Sequence, residues 1–334
     1  MIMQYFPVFD YRQLKIGTVT SEMMLDAVRN FSYFYVSDLN ELIPPSMFKS
    51  LKEQSEEFFA LPESQKMNYY IGSSSNHRGY VPISEKGAYS DETMRVYEAF
   101  DLGFECRETS SDSRRGFTLV GANRYPSEIP GLEATLKAYF SANLKIGKTL
   151  LDILATNSGL DSGYFDKFTT RPASQLRLLH YLKNDALVAH DDVGMGAHTD
   201  YEVFTIIHQT SPGLAAYHRA SKTWKQMPIF KNTLLVMAGD MLELMTSGSI
   251  KSLLHRVSPS GEERYSFPFF MNLDFETKLG NLPAYEKSEN EIVVGHHLIG
   301  QLYRDFPYIK DRIDSGSWDV DFPIPGHNDF EKIM

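Results

Sequence analysis

His198, Thr199 and Asp200, with His255 far downstream, put two imidazoles and a carboxylate within the reach of one metal ion. Such a set binds a single face of iron(II) and leaves the opposite positions open, which suits chemistry with dioxygen and an organic co-ligand. Side chains two apart on an extended segment point to the same side, so His198 and Asp200 can share an ion. His255 can join them only if the intervening strands fold back. In a chain with 10 His and 43 Asp plus Glu such a triplet also arises by chance, so its surroundings must give it meaning.

Those surroundings include a place for an anion. In a strand over 263–272, Arg264, Ser266, Pro268, Phe270 and Asn272 share one face. Arg264 offers a planar fork of donors suited to a carboxylate, and Ser266 adds a hydroxyl. The competing reading is an arginine paired with a carboxylate of the protein itself. A second strand, 176–181, puts Arg177, Leu179 and Tyr181 on one face and His180 on the other. Tyr181 could donate to the same anion, although a tyrosine in a strand more often serves the core.

Face sharing also makes Arg177, Leu179, Phe270 and Asn272 the candidates to line a substrate pocket beyond the metal. An inward Arg177 suits a carboxylate-bearing substrate, such as an amino acid, unless a protein acid neutralises it. The remaining histidines, His77, His190, His208, His218, His296, His297 and His327, lack a partner pattern and read as surface or structural residues. Asp240, after Gly239, reads as a turn residue.

Several elements must position these groups. A first strand covers 7–10, a helix opens at Thr20 or Ser21, and Phe34–Ser37 reads as a buried strand. A second helix follows Pro44-Pro45-Ser46 and turns Phe48, Leu51, Phe58 and Phe59 inward before Pro62. Residues 72–115 read as loops around short strands, and 131–158 as a long amphipathic helix able to brace a sheet. From about 173 the pattern changes to antiparallel strands at 175–182, 201–208, 213–218, 233–238, 252–258 and 263–272. A helix over 293–304 precedes a tail from Phe306, for which wrapping of the surface is preferred to covering a barrel mouth. No linker or repeat interrupts the chain. A single domain over 1–334 is therefore expected, helix-rich to about 172, β-rich and metal-bearing over about 173–275, and ending in a helix and tail over about 276–334.

A formal net charge of −10 argues against a nucleic-acid partner, and Arg114 and Arg115 read as a solvated loop. The single cysteine, Cys106, rules out an intrachain disulfide and reads as an inert, partly buried thiol in a reducing cytoplasm. Met1–Asp10 has no signal-like apolar run, and no segment approaches the ~20 apolar residues of a membrane span.

Taken together, Gly196-Ala197-His198-Thr199-Asp200-Tyr201, Gly213-Leu214, Gly239-Asp240-Met241-Leu242, Ser252-Leu253-Leu254-His255-Arg256-Val257 and Arg264-Tyr265-Ser266-Phe267-Pro268-Phe269-Phe270 carry a family likeness. Arg78-Gly79-Tyr80, Gly121-Ala122-Asn123-Arg124-Tyr125-Pro126 and Leu176-Arg177-Leu178-Leu179-His180-Tyr181 extend it. The chain resembles the isopenicillin N synthase-like branch of iron(II), 2-oxoglutarate-dependent dioxygenases, with these pieces in family order over most of its length.

The resemblance implies an α+β, mainly β, fold with a double-stranded β-helix (jelly-roll) core buttressed by N-terminal helices. It implies iron at His198, Asp200 and His255, and the far carboxylate of 2-oxoglutarate at Arg264 and Ser266 with support from Tyr181. The implied reaction uses dioxygen to hydroxylate, desaturate or cyclise a small molecule, with release of succinate and carbon dioxide. Asp200 stands where halogenases of the family have a small residue, which favours those three outcomes. One departure is Leu179-His180-Tyr181-Leu182, where many relatives carry Asn-Tyr-Tyr-Pro. Oxidases of the same family that use the arginine and serine without consuming 2-oxoglutarate remain an alternative, as does a metal-binding jelly roll without catalysis. No membrane partner and no obligate protein partner are expected.

Overall fold

A computed structural model of the chain describes residues 6–16, 18–83, 85, 97–106, 119–183, 193–259, 262–287 and 291–324. Its strands are β1 (Val8–Asp10), β2 (Tyr33–Ser37), β3 (Gly79–Val81), β4 (Tyr97–Gly103), β5 (Gln175–Tyr181), β6 (Met195–His198), β7 (Phe204–Gln209), β8 (Leu214–His218), β9 (Thr223–Gln226), β10 (Leu234–Ala238), β11 (His255–Val257), β12 (Arg264–Met271), β13 (Lys278–Leu279) and β14 (Ile292–Val293). One sheet runs in the order β1-β2-β10-β7-β12-β5-β4-β3, a second in the order β6-β11-β8-β9, and β13 pairs with β14. These sheets form the expected jelly-roll core, with helices packed on the larger one.

The sequence of β12 explains its place. Flanked on both sides, by β7 and β5, it buries nearly every residue, and so it reads as an aromatic run instead of an alternating one. Pro268 has no N–H to give, yet it sits within this central strand. Pairing with β7 runs unbroken from Ser266 to Met271, whereas pairing with β5 stops at Ser266 and resumes at Phe269. The missing donor is thereby placed on the interrupted side.

The long helix Leu132–Asn157 buries Leu136, Tyr139, Ile146, Leu150 and Leu154. Gly147 lets it approach the sheet closely, since a Cβ there would lie 2.5 Å from Met271 Sδ. Asp10 accepts backbone hydrogen bonds from Arg12 and Gln13 and so caps a short helix, Tyr11–Ile16, that periodicity does not reveal. The next helix therefore opens at Thr18, ahead of the expected Thr20 or Ser21. β6 and β9 are also additions to the sequence reading, each four residues long and poor in β-branched side chains.

On the sheet face opposite Tyr181, a buried polar cluster ties β4, β5 and β12 together. Glu98 accepts hydrogen bonds from Lys66 Nζ (2.6 Å), the Tyr80 hydroxyl and His180 Nδ1 (2.8 Å), while His180 Nε2 meets Glu263 at 2.6 Å. His180 also stacks on Tyr265, with ring centroids 4.7 Å apart. Burial pushes Glu98 up, but the bonds from His180, Lys66 and Tyr80 outweigh it and hold the carboxyl below its usual range. Its folded pKa is thus below its unfolded one, so its contribution is present above the unfolded pKa and is lost as pH falls through the folded one. Glu98→Ala leaves the Lys66 ammonium buried without its acid and is expected to cost about 3–5 kcal/mol in denaturant unfolding. Acid unfolding of the native protein should steepen below about pH 4 and flatten in the variant.

The C-terminal part departs from the expected surface wrap. After the helix Val294–Asp305, Phe306 reaches the cavity between the sheets, and a further helix, Pro307–Asp314, docks beside it. Tyr308 bonds the buried His77 ring, and Arg312 donates to the carbonyls of Gly72 and Ser74. The beginning of the tail therefore lines the cavity through Phe306 and docks on the buried His77 through Tyr308. Burial holds His77 well below the usual imidazole range. His208 lies against Phe48 and Phe267, His218 bonds Ser221, and His296 stacks on Phe322. Cys106 is half-buried, its Sγ 3.9 Å from Arg171. Arg114, Arg115, His190 and His327 lie outside the described residues. No helix among the described residues is long and apolar enough to cross a membrane.

Candidate active site

His198 ends β6 and pairs in register with His255 at the start of β11, so backbone pairing alone brings the two imidazoles together. Their ring centroids are 4.2 Å apart. His198 Nδ1 donates to Gly196 O at 2.8 Å and His255 Nδ1 to Leu253 O at 3.0 Å. A carbonyl can only accept, so each ring carries a proton on Nδ1 and turns Nε2 toward the cluster. Both Nε2 atoms lie 3.7 Å from Asp200 Oδ1. Burial, then the neighbouring His255, push His198 down to about 3 against the pull of Asp200, so the ring is neutral at ordinary pH.

Asp200 lies two residues past the end of β6, in the turn that enters β7. Two contacts hold it. Thr205 Oγ1 donates to Oδ2, leaving Oδ1 toward the imidazoles. The N–H of Asp240 donates to the Asp200 carbonyl at 2.8 Å, and a Cβ at Gly239 would sit only 2.1 Å from the Glu202 carbonyl oxygen. Gly239-Asp240 thus supports the turn that carries Asp200, and Asp240 itself opens the helix Asp240–Met245.

A cavity of about 90 Å³ runs from this cluster between the sheets. Its lining includes Tyr181, Arg264, Ser266, Arg177, Leu179 and Phe270. Arg264 is 1% exposed and lies over the Tyr181 ring, 4.6 Å from its centroid. Its Nε donates to Ser211 O (3.0 Å) and its Nη2 to Gln209 Oε1 (2.8 Å), while the buried Nη1 has no hydrogen-bond partner. Burial lowers its pKa from the usual arginine value.

Two expectations for the pocket change. Asn272 does not reach the cavity. It follows the last residue of β12, so the alternation no longer applies, and its Oδ1 accepts from the N–H of Leu273. Arg177 does face the cavity, but its Nε and Nη2 both donate to Asp101 at 2.7 Å. Asp101 is 2% exposed, so the charge that was to attract a carboxylate substrate is met by a buried acid. Sequence reasoning also passed over Gln175, Thr205, Glu202 and Phe306, all in the lining. Gln175 could have been found by extending the 177, 179, 181 alternation back by two. Burial, together with Asp200 and Asp240, pushes the Glu202 carboxyl up to about 8.

A jelly roll whose two sheets enclose a cavity with two imidazoles, a carboxylate and a buried guanidinium is the frame of a mononuclear metal enzyme. Residues 173–273 match the family described as the 2OG-Fe(II) oxygenase superfamily, and residues 6–128 match that described as non-haem dioxygenase in morphine synthesis N-terminal. A 2-oxoglutarate-dependent dioxygenase of Aspergillus niger is 32% identical over 254 residues, 75% of this chain and 76% of that protein. Clavatol oxidase of Penicillium crustosum is 27% identical over 290 residues, 81% of this chain and 84% of its own. Among solved structures, a full-length Neurospora crassa protein in complex with alpha-KG has the same fold, with a TM-score of 0.75 at 23% identity over 89% of this chain and 95% of that one. The chain belongs to the iron(II)- and 2-oxoglutarate-dependent dioxygenases, and it is an oxidoreductase that uses iron(II), 2-oxoglutarate and dioxygen.

Proposed function

We propose that His198, Asp200 and His255 hold the iron, and that Arg264, Ser266 and Tyr181 receive the far carboxylate of 2-oxoglutarate. The observation that carries this reading is the buried, unpartnered Nη1 of Arg264 in the same cavity as two Nε2 atoms aimed at one carboxylate oxygen. The donor set fits the metal. Two bonds of ~2.0–2.2 Å can span atoms 3.7 Å apart, and two imidazoles with one carboxylate suit iron(II) with open positions. The alpha-KG complex of the Neurospora crassa protein supports the anion site by analogy.

Bound iron(II) with 2-oxoglutarate and dioxygen supplies the oxidising power, releasing succinate and carbon dioxide. The chain supplies position. The Gly196 and Leu253 carbonyls fix both imidazoles in the tautomer that offers Nε2, and Thr205 turns Asp200 Oδ1 toward them. Arg264 and Ser266 orient the co-substrate from the other end, and Phe306 with Leu302 screens the reacting centre from water. The substrate is a small molecule that is hydroxylated, desaturated or cyclised, for which a Neurospora crassa complex with alpha-KG and thymine is a precedent. We take residues 1–334 as one dioxygenase domain, since the larger sheet draws strands from Val8 to Met271. The net charge of −10 supports a small-molecule partner over a nucleic acid, and the single cysteine supports a reducing cytoplasm.

Anaerobic addition of iron(II) and 2-oxoglutarate is expected to produce a weak visible charge-transfer band that His255→Ala abolishes. Survival of the band in that variant would overturn the ligand assignment. Succinate should be released one for one with oxidised substrate, and turnover without 2-oxoglutarate would point to an oxidase instead. Thr205→Val removes the bond that orients Asp200 and should weaken iron(II) binding by roughly 10–100-fold in a metal titration.

A further inference from the structure

Gln175 begins β5, and its side chain lines the cavity at the end opposite Arg264. The register makes this explicit. Along the β5–β12 pairing, Tyr181 stands against Arg264 while Gln175 stands against Phe270. On its other side Phe270 pairs with Thr205, whose hydroxyl holds Asp200. The anion site therefore occupies one end of these strands, and Gln175 borders the end next to the support of Asp200.

The amide nitrogen of Gln175 is buried and makes no hydrogen bond. A buried donor without an acceptor is costly, and among the buried unpartnered donors of this chain those of Gln175 and Arg264 belong to residues that line the cavity. The nearby charges argue against an anionic ligand, and an ammonium, which has no lone pair, could not accept from the amide. Arg177 is matched by Asp101 through two bonds of 2.7 Å, and Asp305 also borders the cavity. An added carboxylate would face Asp305, and the guanidinium that borders this part of the cavity, Arg177, is already matched by Asp101. Two aromatic rings line the cavity, Phe270 on the sheet side and Phe306 from the C-terminal part, whose ring centroid is 5.7 Å from Arg177 Cζ.

We propose that Gln175 selects and orients the substrate by donating its amide to a neutral acceptor oxygen, and that the substrate is a small, flat, uncharged molecule bearing such a carbonyl. This rests on the reading of the cavity as the iron and 2-oxoglutarate site. It narrows that reading to a substrate class and replaces the carboxylate-bearing substrate that Arg177 suggests in the sequence. The amide sets where the ring lies, and therefore which carbon is presented to the metal.

The test uses the full chain loaded anaerobically with iron(II) and 2-oxoglutarate. Binding of 2-pyridone, δ-valerolactam, benzoate and benzylamine is measured by calorimetry. The lactams are expected to bind at least ten times more tightly than the acid or the amine. Gln175→Leu and Gln175→Met, which each remove the donor, should weaken lactam binding at least tenfold and leave 2-oxoglutarate affinity unchanged in the same samples. Unaltered lactam affinity in both variants, no lactam binding, or stronger binding of benzoate or benzylamine would each overturn the proposal. A protein that fails to bind 2-oxoglutarate in the presence of iron(II) would instead overturn the underlying assignment of the cavity.

Discussion

Asp200→Ala is expected to lower 2-oxoglutarate turnover by at least ~10³-fold while the protein stays folded. Asp200 is the one carboxylate in a cluster of three candidate ligands, and both imidazoles are directed at its Oδ1. Without it, two imidazoles remain to hold a doubly charged ion in a buried site. A bound metal supplies several kcal/mol of catalysis, and ~1.4 kcal/mol corresponds to one decade, so loss of about 4 kcal/mol gives roughly the stated factor. The fold should tolerate the change. The Asp200 backbone stays bonded to Asp240, and Thr205 loses one hydrogen bond at a cost of about 1 kcal/mol. Succinate formation and iron content measured together check the prediction. Full turnover with normal iron content in Asp200→Ala would remove Asp200 from the site.

This centre was legible in the sequence because its geometry is local. His198 and Asp200 are two apart, and His255 reaches them through one strand pairing. The inward face of β12 was legible for the same reason, since alternation places Arg264, Ser266, Pro268 and Phe270 along the cavity. What escaped depends on partners remote in sequence. The acid that neutralises Arg177 is Asp101, brought opposite it only by the β4–β5 register. The outward side of β5 follows the same logic, since His180 is bridged by Glu98 from β4 and by Glu263 from just ahead of β12. Asn272 failed for a different reason, because periodicity cannot say where a strand ends. Phe306 escaped because a Pro- and Asp-rich tail carries no signal for the cavity its first residue lines.

Arg264 separates the co-substrate reading from the structural alternative. A structural buried arginine would give its charge to a protein acid. Here its hydrogen bonds go to the Ser211 carbonyl and the Gln209 amide oxygen, neither of them charged, and Nη1 is left over. A guanidinium that is 1% exposed with neutral partners is an uncompensated charge, and an arriving dicarboxylate would compensate it. Truncating one member of a buried charge pair costs about 2–5 kcal/mol. Arg264→Met should therefore raise the KM for 2-oxoglutarate by roughly 10²–10³-fold, with a smaller fall in kcat at saturation and unchanged iron(II) binding. Arg264→Lys keeps the charge but cannot reach Ser211, Gln209 and the ligand with one ammonium, so it should fall between. Steady-state kinetics over a wide range of 2-oxoglutarate concentration, paired with thermal unfolding, distinguish the two roles. A lower Tm with an unchanged KM would identify Arg264 as a packing residue and remove the anion site from the cavity.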